Sequence, residues 1–172
     1  MTHVFTNGVF DLFHVGHLRM LRAASSIITD GGVYLTVAIN DDTSVARIRG
    51  EDRPIIPCEH RRELLLGLYG VRHVITFSED TACEIIEFYH RQHPIDVYVK
   101  GDDTEELPEE KILCDLGIEI RFLETEKPDS ASQIIERCHR AYQRGMMPVG
   151  SPYPTTPDAP LPGISQQEQR FE

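Results

Sequence analysis

As far as residue 144, short apolar runs alternate with stretches of helical periodicity, and that alternation limits the architecture more than any other feature of the chain. Strand patterns fall at Val4 and Phe5 and then over residues 33–39, 74–77, 97–100 and 118–123. Helical patterns fall over 16–26, through Leu18, Leu21 and Ala24, then over 59–69, over 82–92 with Ile85, Ile86 and Tyr89 on one face, and briefly near 109–115. Strands separated by helices call for a parallel sheet with helices on both faces. Right-handed crossovers then collect loops at the carboxyl ends of the strands, where Thr6, Asn40 and Lys100 stand. A final helix begins at residues 130–132 and is expected to bury Ile134, Ile135, Cys138 and Tyr142, with Gly145 as its stop.

The chemistry begins just after the first strand, in Thr6-Asn7-Gly8-Val9-Phe10-Asp11-Leu12-Phe13-His14-Val15-Gly16-His17. Asn7-Gly8 reads as a turn that lets backbone approach a ligand, and both histidines fall where the first helix starts. The first N–H groups of a helix lack partners and its dipole favours an anion. Two imidazoles, exposed N–H groups and a glycine without a side chain make a cradle suited to a polyphosphate. The plainer readings are surface histidines near a helix start or two metal ligands on adjacent turns. Asp11 fits equally a buried cap for the turn and a polar contact near an acceptor or metal.

Composition bounds the partners. With 172 residues, 40% of them hydrophobic, the chain has material for one core and hardly for two. Its net charge of −11 argues against general nucleic-acid binding and against adhesion to anionic membranes. A polyphosphate, itself anionic, must therefore meet a local positive pocket, helped by a divalent cation. Cys58, Cys83, Cys114 and Cys138 lack zinc-ligand spacing and are expected to be reduced and mostly buried. No signal core or apolar span is visible, so a cytoplasmic protein is expected. Residues 146–172 hold six prolines among Ser, Thr and Gly and are expected to form a disordered or loosely attached tail beyond a domain of residues 1–145.

Further segments follow in order: Val37-Ala38-Ile39-Asn40-Asp41-Asp42, Arg47-Ile48-Arg49-Gly50-Glu51-Asp52-Arg53-Pro54, Glu59-His60-Arg61 and Val99-Lys100-Gly101-Asp102-Asp103. Taken singly they are a solvated basic edge after a helical turn over 41–46, a helix start and a strand-end turn. Together with the His-x-Gly-His pair, the set resembles the cytidylyltransferase-like nucleotidyltransferases over residues 1–144. It is most similar to the heptose 1-phosphate adenylyltransferase domain of ADP-heptose synthesis and, further off, to glycerol-3-phosphate cytidylyltransferase.

That resemblance implies an α/β fold, a Rossmann-like three-layer sandwich with a five-stranded parallel sheet, and transfer of a nucleoside monophosphate from a triphosphate to a small sugar or polyol phosphate. It implies Mg²⁺ carried with ATP or CTP, no metal site of the protein's own, and a homodimer. It places His14, His17 and Arg49 in catalysis. Asn7, Gly8, Val9, Phe10, Gly16, Lys100, Gly101, Asp102, Ser130 and Ser132 join those three at the nucleotide, and Asp11 and Arg47 stand at the acceptor. Val9 and Ala131 each replace a hydroxyl residue common in relatives. Tyr69 and Thr125 stand where cytidylyltransferases carry arginines, and the 50–54 and 77–81 segments follow the adenylyl-transferring type, so AMP is the expected group. Two alternatives stay open: a CTP-dependent enzyme acting on glycerol 3-phosphate or an amino-alcohol phosphate, and a nucleotide-binding module without turnover.

Overall fold

A computed structural model describes residues 1–27, 31–102, 106–124 and 129–144. Two compact units divide at Ile134 and Ile135. The first holds a five-stranded parallel sheet in the order β3-β2-β1-β4-β5, built from β1 (Thr2–Gly8), β2 (Val33–Asn40), β3 (Val71–Phe77), β4 (Val97–Gly101) and β5 (Glu119–Leu123). The order reverses between β1 and β4, which opens a crevice at the carboxyl edge. The connections are α1 (Val15–Ser25), α2 (Asp42–Arg49), α3 (Cys58–Leu66), α4 (Cys83–Gln92) and α5 (Glu110–Asp115), and α6 (Ala131–Gln143) begins in this unit. The second unit is described only over 135–144, which continues α6.

The two-residue period of the strands sorts the apolar residues into two cores. Val4, Leu35, Val37, Ile39, Val97 and Val99 face one side and pack with Leu21 and Ala24 of α1 and Leu65 of α3. Phe5, Ala38 and Tyr98 face the other side and pack with Ile86 and Tyr89 of α4 and Leu113 of α5. These are the three layers the alternation called for.

Four readings change. Asn7 and Gly8 are not a turn; they complete β1, in register with Ala38 and Ile39 of β2. Gly8 keeps the approach open, because a Cβ there would lie 3.1 Å from the Phe10 ring and the ring would have to give by a few tenths of an ångström. Arg47 and Arg49 occupy the last turn of α2, which runs on to Gly50 at φ 104°, a conformation natural only to glycine. None of the four cysteines is buried: Cys58 and Cys83 are half-buried as first residues of helices, while Cys114 and Cys138 are exposed. Finally, α6 has no buried residue, Tyr142 being 67% exposed. Periodicity reports an apolar face but not what covers it. Gly145 and the 146–172 segment lie outside the described residues.

Candidate active site

The loop from β1 into α1 bends sharply, with Phe10 at φ 53° and Leu12 at φ 49°, two non-glycine residues in the left-handed region. Such positions cost on the order of 1–3 kcal/mol each and persist only where neighbours enforce them. Asp11, between them and 2% exposed, is the enforcer. Its Oδ1 accepts from the N–H groups of Leu12 (3.0 Å) and Ile56 (2.9 Å), and its Oδ2 from Ile55 N–H (2.9 Å) and Arg53 Nε (2.7 Å). Arg53 Nη2 approaches the same Oδ2 at 2.5 Å. Burial works against the charge, but the Ile55 and Ile56 N–H groups and the Arg53 guanidinium outweigh it and hold the carboxyl below the ordinary aspartate range.

Arg61 braces the same loop from beneath. It is 1% exposed and donates to the carbonyls of Val9 (2.6 Å), Asn40 (2.9 Å) and Ile56 (2.9 Å) and to Asp42 (2.8 Å). One buried guanidinium thus ties the ends of β1 and β2 to the segment before α3.

At the start of α1 the two histidines cap the helix with each other. Gly16 N–H donates to His14 Nδ1 (3.1 Å), and His14 N–H donates to His17 Nδ1 (3.4 Å). A backbone N–H only donates, so both Nδ1 atoms are acceptors and each neutral ring carries its hydrogen on Nε2. The rings stack at 3.8 Å between centroids, and Phe10 and Phe13 pack on His17 at 5.1 and 5.5 Å. Opposite stands the start of α6, where Gln133 N–H donates to Ser130 Oγ (3.3 Å) and Ser130 N–H to Gln133 Oε1 (2.9 Å). Between these helix starts lies a cleft of about 540 Å³. That volume suits a small-molecule site.

Val9, Phe10, Asp11, His14, Gly16, His17, Arg49, Gly101, Ser130 and Ser132 all line the cleft. Five expected site residues do not. Arg47 turns outward to Asp80 (2.9 Å) and the Ser78 carbonyl. Gly8 lies under the Phe10 ring, and the Asp102 backbone is tied to Leu123 (3.3 Å). Asn7 and Lys100 point beneath the sheet edge. There Lys100 Nζ donates to the Asn7 carbonyl (3.1 Å), Asn7 Nδ2 to Glu109 (3.3 Å) and the Tyr98 hydroxyl to Asn7 Oδ1. Glu109 also accepts from Ala82 N–H (3.1 Å). Burial lowers the Lys100 pKa against the pull of Glu109, and burial with Glu109 raises that of Tyr98. Asp103 and Thr125 lie outside the described residues.

The cytidylyltransferase-like family model matches residues 5–137. The chain belongs to that family. It is 38% identical over 134 residues to the bifunctional protein HldE of Nitratiruptor sp., covering 78% of this chain and 27% of that protein. With the bifunctional protein HldE of Azotobacter vinelandii it shares 39% over 139 residues, covering 80% and 28%. The chain therefore spans 26 to 28% of the length of such curated relatives. Among solved structures, the lipopolysaccharide core biosynthesis protein from Thermoplasma volcanium GSS1 matches at TM-score 0.56 and 27% identity, over 75% of this chain and 99% of that one.

Sequence reading of this family member missed Arg53, Asp129 and Gln133 in the cleft, and Glu109 beneath it. Arg53 was visible only as part of a basic segment, because its partner Asp11 is 42 positions away. Among the described residues, no group of three or more His, Cys, Asp or Glu is placed to hold a metal, and no helix is long and apolar enough to cross a membrane.

Proposed function

We propose that the chain is a nucleotidyltransferase that moves a nucleoside monophosphate, AMP by preference, from its triphosphate to the phosphate of a small sugar or polyol, releasing pyrophosphate. The carrying observation is the pair of stacked imidazoles at the α1 start, each anchored through Nδ1 so that Nε2–H is the donor edge. An acceptor phosphate oxygen attacks the α-phosphorus, the bond to the bridging oxygen breaks, and its electron pair leaves with pyrophosphate. His14, His17, Arg49 and the N–H groups at the starts of α1 and α6 share the developing charge. No protein nucleophile is required, because both reactants bring their own phosphates; the protein contributes position and charge stabilisation.

Mg²⁺ belongs to this reading as a companion of the triphosphate. Asp11, a carboxylate lining the cleft, is committed to Arg53, so phosphate oxygens would supply most of the ligands. The ion would offset triphosphate charge. Gly101 lies beside the base and ribose in this reading. The homodimer is part of the proposal, with Ile55, Leu64, Leu66 and Tyr69 as exposed apolar surface.

The test follows pyrophosphate while ATP and CTP are each offered with heptose 1-phosphate, glycerol 3-phosphate and other sugar and polyol phosphates. ATP is expected to exceed CTP in kcat/KM at least about tenfold with a sugar phosphate. Preference for CTP with glycerol 3-phosphate would make the chain a cytidylyltransferase. Nucleotide binding without pyrophosphate from any acceptor would leave a binding module, the reading that Val9 and Ala131 favour.

A further inference from the structure

We infer that Arg53 takes the phosphate of the acceptor and that Asp11 positions it for that task. This rests on the nucleotidyltransferase reading and adds a contact to it. A guanidinium offers donors along two usable edges. In Arg53 the Nε–Nη2 edge is held by the buried Asp11 carboxylate at 2.7 and 2.5 Å, while the side chain keeps 19% exposure and lines the cleft. Nη1 has no hydrogen-bond partner among the described residues. The second edge is therefore fixed in direction and available to an oxyanion. Three backbone N–H groups share the charge of Asp11, so the guanidinium is not cancelled by its partner.

Topology says which phosphate. Arg53 follows β2 and α2, whereas Gly101 ends β4 and Ser130 follows β5, so these residues flank the β1 loop and its histidines from opposite sides of the sheet order. With the nucleoside beside Gly101, an acceptor attacking in line enters from the β2 side. Arg49 lies on that side as well, but it is exposed and its side chain makes no hydrogen bond among the described residues, which suits it to follow a triphosphate. A small dianion whose oxygen must be aimed needs the guanidinium that cannot move.

The full chain and its Arg53→Gln and Arg53→Lys variants, each shown folded by circular dichroism, are compared by pyrophosphate release with ATP and heptose 1-phosphate. They are also titrated calorimetrically with heptose 1-phosphate and with glycerol 3-phosphate in the presence of a non-hydrolysable ATP analogue. The acceptor KM and dissociation constant should rise at least about tenfold in Arg53→Gln and less in Arg53→Lys, with the KM for ATP within about threefold of the parent. Unchanged acceptor affinity in either folded variant, or weakening that falls on ATP instead, overturns the assignment. Failure of the parent to bind either sugar or polyol phosphate overturns it too. A parent that binds acceptor but releases no pyrophosphate overturns nucleotidyl transfer alone, and the calorimetry still decides the Arg53 contact.

Discussion

Two polar clusters sit at the carboxyl edge of the sheet, one gathered on a residue of β1 and the other lining the cleft. Beneath the edge, Lys100, Tyr98 and Glu109 converge on Asn7 and engage its carbonyl oxygen and both ends of its side-chain amide. In the cleft, Arg53 spends its Nε–Nη2 edge on Asp11 and keeps Nη1 without a partner among the described residues, while His14 and His17 spend Nδ1 on the start of α1. A cluster gathered on one strand residue holds backbone in place. One that lines a cleft suits a ligand, because Arg53 keeps an aimed donor there.

The largest effect is expected from the cleft cluster. His17→Ala and, separately, His14→Ala should lower kcat at least about a hundredfold, the scale for removing a donor that acts on transition-state charge. Each also removes part of the helix cap, worth roughly 1 kcal/mol, so His14→Asn is the informative control. It keeps a cap and loses the Nε2–H edge, and should recover stability without recovering turnover. Turnover within about threefold of the parent in any of these variants would remove that histidine from the chemistry.

The cluster on Asn7 should answer in the opposite way. Lys100→Met removes the donor to the Asn7 carbonyl and leaves Glu109 without a neighbouring cation, at a cost of about 1–3 kcal/mol of stability. At a temperature where the variant is folded, the KM for nucleotide should stay within about twofold. Urea unfolding measures the first and pyrophosphate kinetics the second. A large rise in nucleotide KM with unchanged stability would show that Lys100 reaches the ligand after all, and the contrast between the clusters would fall.

The parallel sheet, its helices and the helix start at the His-x-Gly-His segment were legible in the sequence because each depends on neighbours a few positions apart. Periodicity marks which face of β1 or α4 is apolar, and a helix start follows directly from residues 14–17. What it hid were partnerships over long separations. Lys100 reads as a strand-end ligand residue until its Nζ is seen on Asn7, 93 positions earlier. Arg61 reads as one more charge at a helix start until three carbonyls from separate segments are found around it. Asp11 reads equally as a cap or an acceptor contact until Arg53 and the Ile55 and Ile56 N–H groups are found around it. A single chain in one dimension carries no sign of such pairs.

The smallest expected effect is a two-stage loss of stability in acid, and it separates the cleft from the opposite edge of the sheet. His3, 1% exposed at the start of β1, is held between the Pro94 carbonyl and Thr36, stacks on Tyr34, and is faced by Asp96, His73 and His93. Burial lowers its pKa despite Pro94 and Asp96. A histidine with a depressed folded pKa stabilises the fold above its unfolded pKa of about 6.5, and this contribution declines as pH falls toward the folded value. Asp11 is also depressed, so its contribution is whole above about pH 4 and is lost below that, as pH falls through its lower folded value. Urea midpoints between pH 8 and 3 should therefore show a shallow decline starting near pH 6.5 and a second below about pH 4. His3→Gln should flatten the first decline and leave the second, whereas Asp11→Asn should leave the first and shrink the second, which Asp41 and Glu119, held low by Ser78 and Arg121, also feed. A parent profile level from pH 7 to 4 would mean that the buried histidine near the amino end of the sheet takes up its proton without cost.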